Sequence, residues 1–349
     1  MTVFWARDGF YCAYAIGTTD LTAWDNGQLA LEVGELNAID WFYAANITHT
    51  KPRTINANPM TAGHYPKRIQ VGRIPGRLST THYLQTGILT YAVMGACTST
   101  IVSDPYTHTI TKATDESPIR LAFHYEKEGT SASRRKDLMG FVPRELNIRV
   151  SERDPIAYQT YSGDFAFTGA GADLAQPTPF TQLNLPPYTW FDTKHASAGT
   201  LFQYNSGDIN VDIVDVSIRF GWTGSLFGSY DSSGYPTNGL QQPPFIGEVS
   251  LGVRLTDYTD TVLDTIADLV HTSYAGNLVY VLDFYKSAND YLKYTFTDMY
   301  IDPESYEEVF QSEGDWFNGC RFTLKFRDET STLAVETKDN LTKTQYEND

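Results

Sequence analysis

The sequence predicts an α+β fold, mostly β, laid out as two tandem β-sandwich domains with one flanking helix each. Three observations lead there. Aromatic residues make up 14% of the chain, including 23 Tyr, and Thr and Ser are abundant; such side chains suit a pleated, half-buried surface. Stretch after stretch alternates apolar and polar residues with period two. The same order of strands, polar loops and one helix also occurs twice.

The elements follow in chain order. QLALEVGEL and AIDWFYAANI read as strands, with Ile39, Trp41 and Tyr43 set against Asp40 and Phe42. THTKPRTINANPMTAGHYPK is a long polar loop, and RIQVGRIPGRL resumes a strand. In TTHYLQTGILTYAVMGA, Leu84, Ile88 and Ala92 fall at four-residue steps, which predicts a helix over 81–95 with Thr80 or Thr81 at its cap. A turn around SDPYTH leads to the strand IRLAFHYEK, then to FVPRELNIRVSE and AYQTYSGDFAFTG.

Residues 171–200 hold four prolines and little periodicity, the composition of a connection between domains. Beyond it, DINVDIVDVSIRFGWTG is a strand, a Gly/Ser/Pro loop follows, and EVSLGVRL is a strand. TDTVLDTIADLVH reads as a helix over 259–271, with Val262, Ile266 and Val270 in line and Leu263 and Leu269 beside them. NLVYVLDFYKS, YLKYTFTDMYI and GCRFTLKFRD complete the strands. The expected division is a first sandwich over 1–170, the connection over 171–200, a second sandwich over 201–330 and a loose polar tail over 331–349. Local echoes align the halves: AIDWFYAANI with DVSIRFGWTG, RIQVGRI with EVSLGVRL, the two helices, LAFHYEKEG with VLDFYKSAN, and DFAFTG with RFTLKF.

The chain carries a formal net charge of −16, which opposes tight binding to a nucleic-acid backbone. Cys12, Cys97 and Cys320 are far apart and odd in number, so neither a zinc site nor a disulfide framework is expected, and buried free thiols are. The N-terminal apolar stretch, broken by Arg7 and Asp8, lacks the features of a signal peptide, and no apolar run is long enough to predict a membrane helix.

Reactive groups do not assemble into a motif. His108, His124, Glu126 and Glu128 crowd the stretch from His108 to Gly129, yet His124 sits in an alternating strand between Phe123 and Tyr125. The second half offers Asp283 or Phe284 at the echoing place and no histidine, so no metal site is expected. The acid pairs Asp115/Glu116 and Glu307/Glu308 read as solvated surface rather than as glycosidase carboxylates. GSYDSSG lacks phosphate-loop spacing, and no nucleophile motif occurs. Asn46-Ile47-Thr48 is a formal glycosylation sequon at a strand end. No catalytic residue, cofactor or metal is therefore expected. The two long loops, about 49–67 and 222–246, carry Arg53, Tyr65, Phe227, Tyr230, Tyr235 and Phe245, the expected contacts between subunits.

THTITKATDESPIRLAFHYEKEG followed by RRKDLMGFVPRELNIRV resembles the middle of the major tail tube proteins of siphovirus-like tailed phages and archaeal tailed viruses. In that family an HT(I/F)T strand running into LPSFT(L/I)E is followed by a GC-V-N-SL-L strand; here Gly140-Phe141-Val142 and Glu145-Leu146-Asn147-Ile148 stand at the second place. VDVSIRFGWTGSLFG and PPFIGEVSLGVRL are similar to a further strand, loop and strand of the family, so the resemblance spans about residues 35–330. There are departures: ESPIRL replaces the LPSF run, Phe141 replaces the cysteine, and the asparagine expected near Trp222 is missing.

The resemblance implies two tail-tube-like sandwiches whose strands join those of neighbours into one barrel around a lumen. Two sandwiches per chain imply a homotrimeric, pseudo-hexameric ring. It also implies stacked rings in a virion, assembled in the host cytoplasm, with a tape-measure protein inside and terminator or neck proteins at the ends. DNA would pass through an acidic lumen without specific binding, and no membrane is involved. Two other classes fit the residues less directly: a carbohydrate- or receptor-binding β-sandwich module, and a β-rich glycoside hydrolase.

Overall fold

The computed structural model describes residues 10–16, 42–50, 54–58, 68–72, 76–100, 105–113, 119–126, 133–168, 186–193, 202–223, 227–230, 236–239, 244–255, 261–275, 278–310 and 317–341. The first half contains β1 (Phe10–Ile16), β2 (Phe42–Thr50), β3 (Thr54–Asn58), β4 (Arg68–Gly72), β5 (Gly76–Tyr83), α1 (Ile88–Met94), β6 (Gly95–Thr100), β7 (Tyr106–Lys112), β8 (Ile119–Glu126), β9 (Ser133–Ser151) and β10 (Tyr158–Thr168). The second contains β11 (Phe202–Tyr204), β12 (Gly207–Asp208), β13 (Asp212–Trp222), β14 (Phe227–Tyr230), β15 (Pro236–Gly239), β16 (Phe245–Arg254), α2 (Val262–Thr272), β17 (Leu278–Ser287), β18 (Asp290–Ile301), β19 (Glu307–Val309), β20 (Gly319–Phe326) and β21 (Thr332–Asp339). The fold is α+β and mostly β, as its composition predicts.

All pairings are antiparallel, and they link 17 strands into one sheet. Two further hairpins, β3–β4 and β14–β15, stand apart from it inside the two long polar loops. In the first half the pairings close a cycle: β1, β2, β5, β10, β9, β8 and back to β1. The later part of β9 keeps β10 on one side and exchanges β8 for β13 on the other, and the sheet continues through β16 to β20. A second run joins β6, β7, β21, β18, β17, β11 and β12. The two runs meet at a corner where Met299–Ile301 pair with Leu324–Phe326.

The two runs pack face to face, because each strand turns one alternating row inward. Leu146, Ile148 and Val150 of β9 are buried beside Val216, Ile218 and Phe220 of β13. Opposite lie Leu292, Tyr294 and Phe296 of β18. Ring contacts bridge the layers, Phe220 to Tyr294 at 6.2 Å and Phe202 to Phe322 at 6.1 Å. α1 lies against β9 and β7. Two buried polar contacts fix it there: Thr90 Oγ1 meets Tyr294 Oη at 2.9 Å, and Trp222 Nε1–H donates to the Val93 carbonyl at 2.9 Å.

Four features differ from the sequence reading. The first helix is shorter than 81–95. Thr80 and Thr81 belong to β5, held between β2 and β10, so two sheet ladders override the four-residue spacing. The helix begins after Gly87 and ends at Gly95, whose φ of 90° and N–H to Tyr91 O form a left-handed C-cap. The second helix, at Val262–Thr272, lies close to its expected span and buries Ile266, Leu269 and Val270.

Second, RIQVGRI is not the counterpart of EVSLGVRL. RIQVG is β4, in a hairpin with β3, whereas β5 and β16 occupy matching places beside β2 and β13. Likewise the hairpin after α1 is β6–β7 and that after α2 is β17–β18, so β8 and His124 have no counterpart at Asp283 or Phe284.

Third, His108 lies in β7 rather than in a turn, and is fully buried. Its Nε2 donates to the Leu341 carbonyl at 2.9 Å, and its Nδ1 meets Ser99 Oγ at 2.8 Å.

Fourth, much of the expected polar tail is β21, which inserts between β18 and β7. Leu333, Val335, Thr337 and Asp339 face inward. The strand looks polar because two of its inward residues are, and these are satisfied locally: Asp339 Oδ1 accepts from the Leu341 N–H at 2.9 Å.

Of the expected connection, 186–193 is described, and it is tied to both halves. The Tyr188 N–H donates to Leu84 O at 2.8 Å, and the Trp190 N–H to Pro155 O at 2.6 Å. The Tyr188 hydroxyl donates to Asp290 Oδ1 at 2.9 Å, and Thr193 bridges to Phe284. A chain ending at Ser331 should therefore lose cooperative unfolding or solubility, as monitored by circular dichroism through a thermal ramp. An unchanged Tm would mean that β21 does not hold β18 and β7 together.

Candidate functional site

The outward face of β10, β9, β13, β16 and β20 is a polar surface that spans five strands. Alternation places Glu145, Asn147 and Arg149 outward on β9, and Asp215, Ser217 and Arg219 outward on β13. Glu248 and Ser250 of β16 lie beside them, followed by Arg321, Thr323 and Lys325 of β20. Arg219 is the hub: its Nη2 donates to Glu145 Oε2 at 2.7 Å and its Nη1 to Glu248 Oε2 at 3.2 Å. The Glu145 bond, followed by the charges of the two glutamates, raises the Arg219 pKa against a smaller opposing cost of burial. Arg254 repeats the arrangement at the far end, with Nε 2.7 Å from Asp212 Oδ2 and Nη1 2.8 Å from Glu152 Oε2.

These pairs are partly solvated, so each contributes little stability, on the order of 0–1 kcal/mol. Their effect is on charge. Glu145, Glu152, Asp212, Asp215 and Glu248 stand against Arg149, Arg219, Arg254, Arg321 and Lys325. Asp302 pairs with Lys325, and Glu307 stands opposite Arg321, so the bases on this part of the face sit among at least as many acids.

The join between β9 and β13 depends on Gly221, which sits opposite Glu145 with φ +155°. A Cβ there would lie 2.1 Å from the Arg144 carbonyl oxygen. Only glycine lets the two backbones approach this closely.

Among the described residues no group of three or more His, Cys, Asp or Glu could hold a metal ion, and no helix is long and apolar enough to cross a membrane. Glu307 and Glu308 are neighbours on β19, so they point to opposite sides and do not converge as a catalytic pair. Asp115 and Glu116 lie outside the described residues. Cys320 is a buried free thiol that burial pushes up to about 12, keeping it protonated at neutral pH.

Of the residues expected on assembly loops, Arg53, Tyr65 and Tyr235 lie outside the described residues. Phe227 and Tyr230 are the terminal residues of β14. Phe245 starts β16 and packs within its own chain, 5.1 Å from Trp222 edge-on and 6.3 Å from Phe326. Other aromatics are exposed among the described residues. Phe191 is 74% exposed, Phe310 is 61% exposed, and Tyr274 stacks on Tyr300 at 4.8 Å. PPYTWFD held a usable signal for Phe191, since Trp190 is buried and its neighbour is turned out.

No protein-family model and no curated protein matches the chain.

Gly221→Ala should destabilise the protein by about 2–4 kcal/mol through backbone clash and strain, read as a lower denaturant midpoint at unchanged slope. Wild-type stability of this variant would contradict the close approach of β9 and β13.

Proposed function

We propose that the protein is the subunit of a viral tail tube, a structural, non-enzymatic virion protein whose copies join edge to edge into rings that stack into a conduit. One observation carries the reading: within a single chain, the sheet of the first half already adds edge-on to the sheet of the second, through β9 and β13. The same addition between copies has edges to use. β2 is the counterpart of β13, and on its side away from β5 the described pairing is with β1 at Tyr11↔Tyr43 and Cys12↔Phe42 alone. At the other end β19 covers β20 and has no outer neighbour among the described strands.

Two different edges make a head-to-tail contact, which closes into a ring when the rotation allows and leaves no strand edge exposed. With two sandwich-like units per chain, three copies give a pseudo-hexameric ring. The corresponding place of β5 and β16, each followed by a helix and a hairpin, supports the tandem reading.

In such a ring the open face of β9, β13, β16 and β20 is the natural lining. Arg219 and Arg254 on it are each matched by two carboxylates, so these arginines offer passing DNA phosphates little counterion-release attraction. This replaces the expected acidic lining by a charge-paired one over the described strands. A tape-measure protein within, terminator or neck proteins at the ends, assembly in the host cytoplasm and residence in the virion complete the proposal. A second reading, a carbohydrate- or receptor-binding module, draws on the exposed Tyr274 stacked on the half-buried Tyr300.

Negative-stain microscopy of concentrated purified protein separates the two. The tube reading expects hollow rings or tubes, with a ring mass of three copies. A monomer under all conditions that binds glycans would overturn it in favour of the module.

A further inference from the structure

We propose that a depression on the open face binds a hydrogen phosphate group, free or carried as a monoester, held by Arg149 and Arg153 against Asp215. The site is independent of ring formation.

The depression holds about 480 Å³ and is polar, with Arg149, Arg153, Arg321, Asp154 and Asp215 among its lining. Its shape follows from the register. Asp215 of β13 is opposite Gly252 of β16, which is opposite Arg321 of β20. Gly252 contributes no side chain, and the Phe317 ring lies over it between Asp215 and Arg321. A Cβ at Gly252 would fall 2.9 Å from the Phe317 ring and 3.0 Å from Asp215 Cβ. Phe317 in turn carries the Arg321 guanidinium, 5.1 Å from its ring centre. Arg153 is presented by a tight turn, in which the Ser151 N–H donates to Asp154 O at 3.2 Å and the Asp154 N–H to Ser151 Oγ at 3.0 Å. Arg153 makes no ion pair with a described residue.

The chemistry selects the ligand. Guanidinium groups offer donors in excess, so the ligand must bring acceptors and negative charge. Asp215 asks for the opposite. Its Oδ1 is sealed from solvent, and its Oδ2 stands 3.9 Å from Arg149 Nη2, too far for a hydrogen bond. A ligand filling the site must therefore accept from arginine and donate to a carboxylate. Hydrogen phosphate does both, with its P–O⁻ oxygens toward the arginines and its P–OH toward Asp215 Oδ2. Sulfate and a phosphodiester have no such proton at neutral pH and would set an oxygen lone pair against the carboxylate. A DNA backbone would be rejected by the same group that admits a monoester.

Titration calorimetry at pH 6, where about half of a monoester keeps its P–OH, and at constant ionic strength tests this with inorganic phosphate, glycerol phosphate, sulfate and dimethyl phosphate. Phosphate should bind at least about tenfold more tightly than sulfate or dimethyl phosphate. Arg153→Ala, on an exposed turn, should weaken phosphate at least about tenfold. Asp215→Asn, whose amide can donate, should bring sulfate level with phosphate, provided that its circular dichroism matches the wild type. If glycerol phosphate binds as well as phosphate, the ligand class is the monoester; if phosphate alone binds, it is the free ion. Equal binding of sulfate and phosphate by the wild type would overturn the proposal, as would no binding, or binding indifferent to Arg153→Ala.

Discussion

From Asp215↔Ser151 to Gly221↔Glu145, β13 and β9 run side by side, and the two halves of the chain share one sheet because they do. The ladder carries an inward row and an outward row with different tasks. Leu146, Ile148, Val150, Val216, Ile218 and Phe220 are all essentially sealed from solvent, and burial at about 1.5–3 kcal/mol per large apolar side chain dominates the energetics. The outward row of paired charges adds little stability. It fixes what the surface presents to a partner or a ligand. Two irregularities flank the ladder, a register shift at Ser162/Gly163 between β10 and β9 and another at Ile213/Asp215 between β13 and β16. The second explains why both Ile213 and Val214 are buried, where strict alternation would send one of them out.

Much of this was legible in the sequence, and the rest was hidden for identifiable reasons. Strands β9, β10, β13 and β16 and the second helix follow from alternation and four-residue spacing, because each has a clean apolar row. The first helix misled, since Leu84 and Ile88 share a spacing but not an element. Thr80 to Tyr83 are captured by neighbouring strands, and no local pattern announces a neighbour 79 residues away in sequence, as for Thr81 and Thr160. β21 was read as a tail because Thr337 and Asp339 count as polar, although both are buried and His108 closes over the chain just beyond them.

The open face was present in the text as the polar half of every alternation. Its charge matching was not, because Arg219 meets Glu145 and Glu248 only through pairing between distant strands. The packing of a loop aromatic is hidden for the same reason. Phe245 is adjacent to a loop in sequence but is claimed by Trp222 and Phe326 in space. The net charge of −16 describes the chain as a whole, while on the open face Arg219 and Arg254 are each held by two carboxylates.

The shared ladder can be tested by a disulfide across it. Arg149 and Ser217 are directly opposed on the open face, within the reach a disulfide spans across paired strands. The variant with Arg149→Cys and Ser217→Cys should oxidise to an intramolecular 149–217 link in the monomer, identified by mass spectrometry of its peptides. Free, separately alkylated cysteines at both positions, in a protein that is otherwise folded, would contradict the account.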